Sequence, residues 1–414
     1  MQVSIGTSTA AQAFQAGVQA VTHALQQLSS SQVPRLALAF CNAEVDAHGF
    51  YAGLRQHLGE WVPIVGGSAM GMAHAQQTVI QGPCAAVVLM TGDDWEWQLA
   101  TSHEIYRDPL LAGEVLAGQL PSLDDGRCLL MFYDSVRFAA TATQPPVLIP
   151  SGPLIAGAHH QRLRTLPLFG AGVLGDGQFN LTWQFTGDAV SRHSASVLQF
   201  AGDFQVFSCI MHGCVPMTEK RYTVTDVFGQ YLYSLDNQPI VALLDQLTGD
   251  TSWRYLQLDP AGGPLPVTKI SIARPLSEDP SEQQLVTRLL SGVLPGDEAV
   301  VLFEPDFVKG QQVMLMQRDP QLMVQSAYDN TVRLLAELKA AGQVGRFAIY
   351  FDCGGRMSVI SGSDVEEASV VRDLVVAAGI PFLALYTGVE IAPLQGGSYG
   401  LDWSGVLVIF SQPA

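Results

Sequence analysis

The chain carries little charge and no concentration of positive charge. Charged residues make up 14% of its 414 residues, and 38 acidic side chains against 21 basic ones give a net charge of −17. Nucleic acids and anionic lipids are bound by basic surfaces, and no run of Lys or Arg supplies one. We therefore expect neither a nucleic acid nor a membrane surface as a partner.

Long apolar runs and a leader segment are also missing. The strongest apolar runs, such as CAAVVLM (84–90), have the length of a strand, whereas a membrane-spanning helix needs about 18 residues or more. The N-terminus, MQVSIGTSTAAQAF (1–14), lacks the basic segment and apolar core of a signal peptide. These absences predict a cytoplasmic protein.

Cysteine is sparse and carries no metal-binding spacing. The six cysteines are scattered, and no C-x-x-C occurs. The stretch CIMHGC (209–214) brings two cysteines close to His212, but no second ligand pair follows at zinc-finger spacing. We expect reduced core thiols and no structural zinc.

Signatures of catalysis are absent as well. No G-x-S-x-G surrounds Ser68, which stands in VGGSAMG (65–71). No nucleophile, base and orienting group can be brought together from spacing alone. We therefore expect no enzymatic activity.

What is present is a threefold layout of strand, helix and glycine-ended strand. The three stretches begin at RLALAFC (35–41), CLLMFYD (128–134) and RFAIYFDC (346–353), and they end at VPIVGGSAMG (62–71), PLFGAGVLG (167–175) and PFLALYTGVE (381–390). Further strand-like runs follow each unit: CAAVVLM, then NLTWQF (180–185) with SASVLQF (194–200), and SGVLVIF (404–410). Repeated units of this kind predict a mixed α/β fold with sheets flanked by helices.

A domain boundary is predicted near residues 221–230. There RYTVTDVFGQYLYSLDNQP (221–239) begins a new alternating pattern, with a turn at Asp236–Asn237. We expect two domains, 1–225 and 226–414.

The glycines of FGAGVLGDG (169–177) spell G-x-G-x-x-G, the dinucleotide-binding pattern. That pattern requires a following helix whose N-terminal amides face the pyrophosphate. Here residues 179–185 alternate apolar and polar side chains, which predicts a strand, and Asp176–Gly177 predicts a hairpin turn before it. We therefore expect no NAD or FAD at this loop.

Glycine-ended strands of three equivalent units should meet at one edge of the sheets, where open α/β sheets bind ligands. We accordingly predict ligand contacts from Gly66 and Ser68, from Gly170 and Gly172, and from Gly388. The alternative is that these glycines only make tight turns.

Longer segments resemble the FIST sensory protein family. PIVGGSAMG, PLFGAGVLGDGQF and MHGCVPMTEKRYTVTDVFGQYLYSLDNQP are similar to its N-terminal domain, and FDCGGRM with PFLALYTGVEIAP is similar to its C-terminal domain. The resemblance assigns 1–225 and 226–414 to these two domains. It implies a sensory module without catalytic activity that binds a small ligand, with amino acids proposed, and that signals through a separate partner.

The same resemblance implies an alternative function, because some family members are described as haem-binding nitric-oxide sensors that regulate histidine kinases in trans. His212 is the candidate iron ligand, with apolar residues before it to shield a macrocycle. A hydrogen-bonded core histidine is the alternative interpretation. The absence of C-x-x-C-H excludes covalent haem attachment.

Arg356 and Glu390, each at the end of a predicted strand, are the candidate clamp for an amino acid. The guanidinium could grip a ligand carboxylate with two parallel hydrogen bonds, and the carboxylate could receive an amino group. The alternative is that the two side chains pair with each other or cap loops. Tyr386 and Thr387 offer hydroxyls to orient the ligand, and Cys353 is either a reactive strand-end thiol or an inert buried one.

Overall fold

The computed structural model describes residues 1–75, 77–121, 125–139, 146–160, 163–254, 267–277 and 284–414. Within them helices and strands alternate, and the strands form mixed sheets flanked by helices, which confirms the predicted fold class. None of the helices in these ranges combines the length and apolar character that crossing a bilayer requires.

Eight helices lie in the described ranges. They are α1 (Ala13–Leu25), α2 (Ala47–Leu58), α3 (Pro109–Gln119), α4 (Ser151–Ala158), α5 (Ile240–Thr248), α6 (Pro320–Ala340), α7 (Ser358–Ser361) and α8 (Glu367–Ala377). Side chains of Asp46, Asp108 and Asp319 cap α2, α3 and α6 by accepting backbone N–H groups of the first turn. The residues 161–162, inside the predicted helical segment of the second unit, lie outside the described residues.

The strands of the N-terminal half are β1 (Gln2–Ser8), β2 (Leu36–Cys41), β3 (Ile64–Ser68), β4 (Met72–His74), β5 (Gln77–Val79), β6 (Ala85–Thr91), β7 (Trp95–Ser102), β8 (Gly126–Asp134), β9 (Val136–Phe138), β10 (Val147–Leu148), β11 (Leu168–Val173), β12 (Gln184–Gly187), β13 (Val190–Ser191), β14 (Ala195–Gly202) and β15 (Gln205–Met211). The remaining strands are β16 (Cys214–Pro216), β17 (Tyr222–Phe228), β18 (Tyr231–Leu235), β19 (Gln238–Pro239), β20 (Val267–Pro275), β21 (Leu285–Val293), β22 (Val300–Leu302), β23 (Gln312–Arg318), β24 (Gln343–Cys353), β25 (Phe382–Thr387), β26 (Val389–Leu394), β27 (Gly397–Leu401) and β28 (Gly405–Pro413).

Three six-stranded sheets repeat one arrangement. Their strand orders are β1-β6-β2-β3-β12-β13, β7-β14-β8-β11-β26-β27 and β15-β28-β24-β25-β4-β5. The central pair of each sheet is parallel, and its connection contains α2 in the first, α4 in the second, and α7 and α8 in the third. The three predicted units are therefore structurally equivalent, and we call them the first, second and third units.

The units exchange strands. The strand that follows each parallel pair joins a neighbouring sheet: β4 pairs with β25, β12 with β3, and β26 with β11. Strands from both halves of the chain thus share sheets, so the halves are interlocked by backbone hydrogen bonds.

A fourth sheet is inserted between β15 and α6, and we call Cys214–Arg318 the inserted unit. Its strands run in the order β16-β23-β17-β18-β22-β21-β20, with β19 paired to β18, and β20 also pairs with β23, so the sheet closes on itself. The helix α5 packs on one face of this sheet. The boundary predicted between residues 225 and 226 falls within β17, whereas the predicted turn at Asp236–Asn237 is present, with both residues at positive φ (49° and 62°).

Phenylalanines at equivalent positions fill the centre between the three sheets. Phe40, Phe132 and Phe351 stand on β2, β8 and β24, one position before the last paired residue in the first unit and two positions before it in the other two. The ring centroids of Phe40 and Phe132 are 5.2 Å apart, and those of Phe132 and Phe351 are 6.0 Å apart. The sheets therefore pack through a shared aromatic layer.

The glycine-rich loop after β11 differs in part from the prediction. No helix follows it, as expected, but the strand begins at Gln184 instead of residue 179. That strand pairs with β3 and β13, so the predicted hairpin is wrong. Asp176 instead accepts hydrogen bonds from the backbone N–H groups of Gln178 and Asn180, which holds the loop away from β11.

Candidate functional site

The carboxyl ends of the parallel strands occupy equivalent places in the three units, and ends of different units contact one another, as where the backbone N–H of Met70 donates to the Tyr386 oxygen. In the first unit Cys41 lies opposite Ser68 at the last paired position, and the equivalent pair in the third unit is Asp352 and Tyr386. A shared ligand crevice at these ends stays a prediction.

Arg356 lies at the centre of a buried charge network in the third unit. Its Nε donates to Asp352 Oδ1 at 3.0 Å, and its Nη1 donates to the backbone oxygens of His212 at 2.7 Å and Trp403 at 2.9 Å. Its Nη2 donates to Glu367 Oε1. All three charged side chains are fully buried. Most guanidinium donors are therefore taken by the protein itself.

This network shifts the pKa values of its members. Burial, followed by the neighbouring Glu367 charge, raises the pKa of Asp352 well above its usual range, and Arg356 opposes that shift. Burial and the Glu366 carboxylate raise the pKa of Tyr386, whose hydroxyl donates to Glu366 Oε1. The hydroxyl of Tyr386 is thus directed to a protein carboxylate.

Glu390 is buried and does not pair with Arg356. Its Oε1 accepts a hydrogen bond from Thr387 Oγ1 at 2.9 Å, and its Oε2 has no partner among the described residues. Burial, reinforced by Asp352 and Asp402, raises its pKa well above the usual range. The predicted zwitterion clamp of Arg356 and Glu390 thus lacks an opening in the described structure, and its role as a ligand site stays a prediction.

The surroundings of Cys353 disfavour its thiolate form. It is buried, and burial together with the Glu390 charge raises its pKa well above the usual value. A reactive thiolate requires the opposite shift. Of the two predicted alternatives for Cys353, this environment favours the inert buried thiol over the reactive one.

The glycines and Ser68 make close backbone contacts. Gly66 and Gly170 have φ values of 137° and 139°, and a Cβ on them would lie 2.2 and 1.8 Å from the carbonyl oxygens of Ala39 and Met131. Ser68 Oγ accepts from the backbone N–H of Trp183 at 3.0 Å. A Cβ on Gly172 would meet the hydroxyls of Tyr133 and Ser135, and Gly388 donates its N–H to the Gly172 oxygen at 2.8 Å. These contacts favour the interpretation that the glycines permit close packing.

A cavity of about 520 Å³ opens at the strand ends of the first unit, and Ser68 lines it. Other residues around it are Asn42, Glu44, Asp46, Gly175, Asp176, Asn180 and Trp183. Of the residues predicted to contact a ligand, Ser68 lines this cavity, and His212, the predicted haem ligand, lines both of the cavities described next.

Two further cavities meet at His212, where the chain passes from β15 into the inserted unit. The larger, of about 750 Å³, is lined by His212, Cys214, Val215, Pro216, Met217, Thr218, Glu219, Arg221, Pro275, Ser277, Gln284, Leu285, Met314 and Met316. The smaller, of about 400 Å³, is lined by His212, Gly213, Lys269, Gln317, Arg318, Asp319, Pro320, Met323, Ile360, Ser361 and Gly362. The smaller one therefore lies between the inserted unit and the third unit.

The imidazole of His212 is held in one tautomer. Its Nδ1 accepts the backbone N–H of Cys214 at 3.0 Å, so in the neutral ring the proton is on Nε2. Burial and the adjacent Arg356 charge lower the pKa of His212 to about 4. The ring is thus neutral at physiological pH and carries one N–H donor.

This geometry does not fit His212 as a haem ligand. A coordinating histidine normally donates its other ring N–H to an acceptor, whereas here Nδ1 is itself an acceptor. Coordination through Nε2 would require that nitrogen to lose its proton. Across the part of the chain that the structure describes, no group of three or more His, Cys, Asp or Glu side chains could hold a metal ion.

Sequence reasoning overlooked the residues around these cavities. Met314, Met316 and Arg318 lie at alternate positions of β23, so they share one face of the inserted sheet. That face is opposite to the one covered by α5, as the separate cluster of Cys214, Ala273 and Met316 shows. The continuous apolar run VMLM (313–316), which is typical of a strand covered on both faces, was a signal that could have located this face.

Comparison with known proteins gives two family matches. The FIST N domain matches residues 35–238, and the FIST C domain matches residues 243–393. A protein of Mycobacterium tuberculosis, named only as uncharacterized in two strains, is 24% identical over 412 residues, which is 96% of this chain and 96% of the relative.

Solved structures resemble the chain weakly. A cyanuric acid hydrolase from A. caulinodans has a TM-score of 0.38 and 9% identity, covering 100% of this chain and 99% of its own. A chorismatase has a TM-score of 0.30 and 9% identity, covering 91% of this chain and 92% of its own. Likenesses at this level say nothing about what this chain binds.

Proposed function

The chain belongs to the FIST family, whose domains are small-ligand-binding sensory domains of signal transduction, and from that premise we propose that its ligand binds in the two cavities at His212. We propose further that it has no catalytic activity of its own. Its output then passes to a separate partner in the cytoplasm, such as a histidine kinase acting in trans.

The larger cavity is the observation that carries this proposal. Its volume of about 750 Å³ falls in the range of roughly 300–1,000 Å³ typical of small-molecule sites. Three methionines, Met217, Met314 and Met316, supply a thioether surface that adapts to apolar and aromatic groups. A cavity with such a lining suits ligand recognition better than bond-breaking chemistry.

An amino acid with an apolar side chain is the ligand class that we propose. Charged groups of both signs border the cavities: Glu219 and Arg221 at the larger one, Lys269 and Arg318 at the smaller one. In this proposal these groups bind the ligand charges that the predicted clamp of Arg356 and Glu390 was expected to bind. Arg356 does not contact the ligand in this proposal; it positions His212 through its hydrogen bond to the His212 backbone oxygen.

The position of the smaller cavity suggests how binding becomes a signal. A ligand held between the inserted unit and the third unit would favour one arrangement of the two over others. His212 would couple ligand binding to this arrangement, because it lines both cavities and its backbone oxygen accepts a hydrogen bond from Arg356. The partner would recognise the favoured arrangement.

A thermal-shift panel of the twenty amino acids at millimolar concentration tests the proposal. We expect at least one to raise the melting temperature, since a ligand at 100 times its Kd stabilises by about 2.7 kcal/mol. Val215→Trp, which fills the larger cavity from its partly exposed edge, should abolish the shift, and Val308→Trp on the exposed surface of the same unit should preserve it. Mass spectrometry should recover the ligand unchanged.

The proposal fails if no amino acid shifts the wild-type melting temperature, or if both tryptophan variants respond like the wild type. Conversion of the ligand by the purified protein would overturn the non-catalytic part alone.

A further inference from the structure

We infer that the smaller cavity seats an oxyanion of the ligand, a carboxylate or a phosphate, while the apolar body of the same ligand occupies the larger cavity. This inference rests on the proposed function and adds to it the orientation and the charge of the ligand.

The cations at the smaller cavity come from two strands of the inserted sheet. Lys269 stands on β20 and Arg318 at the end of β23, and both side chains line the cavity. The one carboxylate in its lining is that of Asp319, whose Oδ1 accepts the backbone N–H groups of Gln321 at 2.8 Å and Leu322 at 3.0 Å. That carboxylate caps α6 and keeps its negative charge, but two cations stand against it, so the net charge of the lining is positive.

Arg318 is held in a buried and shaped environment. Its guanidinium lies 3.4 Å from the centroid of the Trp403 ring, and its Nη2 lies 3.9 Å from Met323 Sδ. Stacking on an aromatic face fixes the plane of a guanidinium while its N–H groups point outward along the edge. Burial, with the Arg356 charge adding to it, lowers the pKa of Arg318 to about 10, which still leaves the guanidinium charged at neutral pH.

His212 joins this cationic cavity to the apolar one. His212 is among the residues that line both, and its neutral tautomer carries an Nε2–H donor, which suits an oxyanion and not an ammonium group. Beyond His212 the lining becomes apolar, with Met314, Met316 and Leu285. A ligand that spans the junction would therefore be anionic at one end and apolar at the other.

Isothermal titration calorimetry with four probes tests the inference. Tryptophan, indole-3-propionate, tryptamine and inorganic phosphate are titrated into the full chain, into Lys269→Gln and into Lys309→Gln, an exposed lysine outside the cavities. We expect the two carboxylates to bind and tryptamine not to bind. Lys269→Gln should weaken carboxylate binding about tenfold, as loss of a charged hydrogen-bond partner does, and Lys309→Gln should leave it unchanged.

The phosphate arm separates the two oxyanions. If phosphate alone binds and Lys269→Gln weakens it, the site is for a phosphate group; if only the indole carboxylates bind, it is for a carboxylate. Binding of tryptamine as tight as that of indole-3-propionate, or an unchanged Kd in Lys269→Gln, would overturn the inference while leaving the ligand-sensor proposal intact. Failure of every probe and of the whole amino-acid panel would instead remove the proposed function.

Discussion

The first and third units share one scaffold but end their parallel strands in opposite ways. In the first unit small side chains, Cys41 and Ser68, stand at the last paired position, and a cavity opens there. In the third unit the equivalent pair is Asp352 and Tyr386, and the buried side chain of Arg356 fills the space at the strand ends by pairing with Asp352. The same backbone therefore gives an open pocket or a closed charge network, according to the side chains at the strand ends.

The second unit is intermediate, because another part of the chain closes it. Glu304 of the inserted unit lies at the N-terminus of α4, where both its carboxylate oxygens accept the backbone N–H of Ser151 at 3.0 Å. The Ser151 N–H favours the ionised carboxylate, as helix N-termini do, but burial outweighs it and raises the pKa of Glu304 to about 8. The strand end of the second unit is thus covered by a residue of the inserted unit, and not by residues of the second unit itself.

The largest effect is expected where the closed network is opened. Arg356→Met should lower the free energy of unfolding by about 3–5 kcal/mol, because it leaves Asp352 and Glu367 buried without their cation. Urea denaturation measures the change. In the open first unit Asn42→Ala, which removes hydrogen bonds to Gly82 and Cys84, should cost about 1–3 kcal/mol. Equal losses in the two variants would contradict the contrast between the units.

A smaller effect is expected from a glycine that the third unit does not share. Gly170→Ala should cost about 2 kcal/mol or more, since φ is 139° and the new Cβ would lie 1.8 Å from the Met131 oxygen. Ala384 occupies the equivalent position on β25, and Ala384→Gly should cost about 1 kcal/mol or less. Thermal and urea unfolding of the two variants measure the difference, and a larger loss at Ala384 would show that the units are not equivalent here.

Closure of the second unit should depend on pH. Burial raises the pKa of Glu304 to about 8, above its value of 4.5 when exposed, so the folded protein holds this proton while the unfolded chain releases it. Stability from this group is therefore present below about pH 4.5 and is lost as pH rises toward 8, at up to about 1.4 kcal/mol per pH unit.

Glu304→Gln keeps the acceptor but cannot ionise, so its stability relative to the wild type should increase between pH 5 and pH 8. Urea denaturation across that range measures the difference, and Glu298→Gln, at an exposed site of the same inserted unit, serves as the control. A difference that stays constant with pH would argue against a raised pKa of Glu304.

The smallest effect concerns the rim of the open cavity. Asp46 caps α2 by accepting the backbone N–H of Gly49 at 2.7 Å, and Asp46→Ala should cost about 1 kcal/mol. The neighbouring exposed Glu44 makes no helix cap, so Glu44→Ala should change stability by less than about 0.5 kcal/mol. Chemical denaturation of the pair tests whether the open strand end is held by this cap.

Parts of the candidate site were predictable because their signals are local. The place of Arg356 after β24 follows from the apolar run that stops beside it, whereas Glu390 lies in β26 and not at the end of β25, which stops at Thr387. Their partners did not follow, because Glu367 reaches Arg356 from α8 and Thr387 donates to the Glu390 oxygen. Nothing in residue spacing states which of several acids in a loop will reach a buried cation, so the predicted clamp and the observed network differ.

By itself the sequence determined the three strand–helix–strand units, the absence of a helix after FGAGVLGDG and the turn at Asp236–Asn237. Each depends on periodicity or turn preference within about ten residues. Tertiary structure alone decided that the units exchange strands, that Glu304 closes the second unit and that two cavities meet at His212. These features are contacts between residues far apart in the chain, and they depend on which faces remain uncovered after local structure has formed.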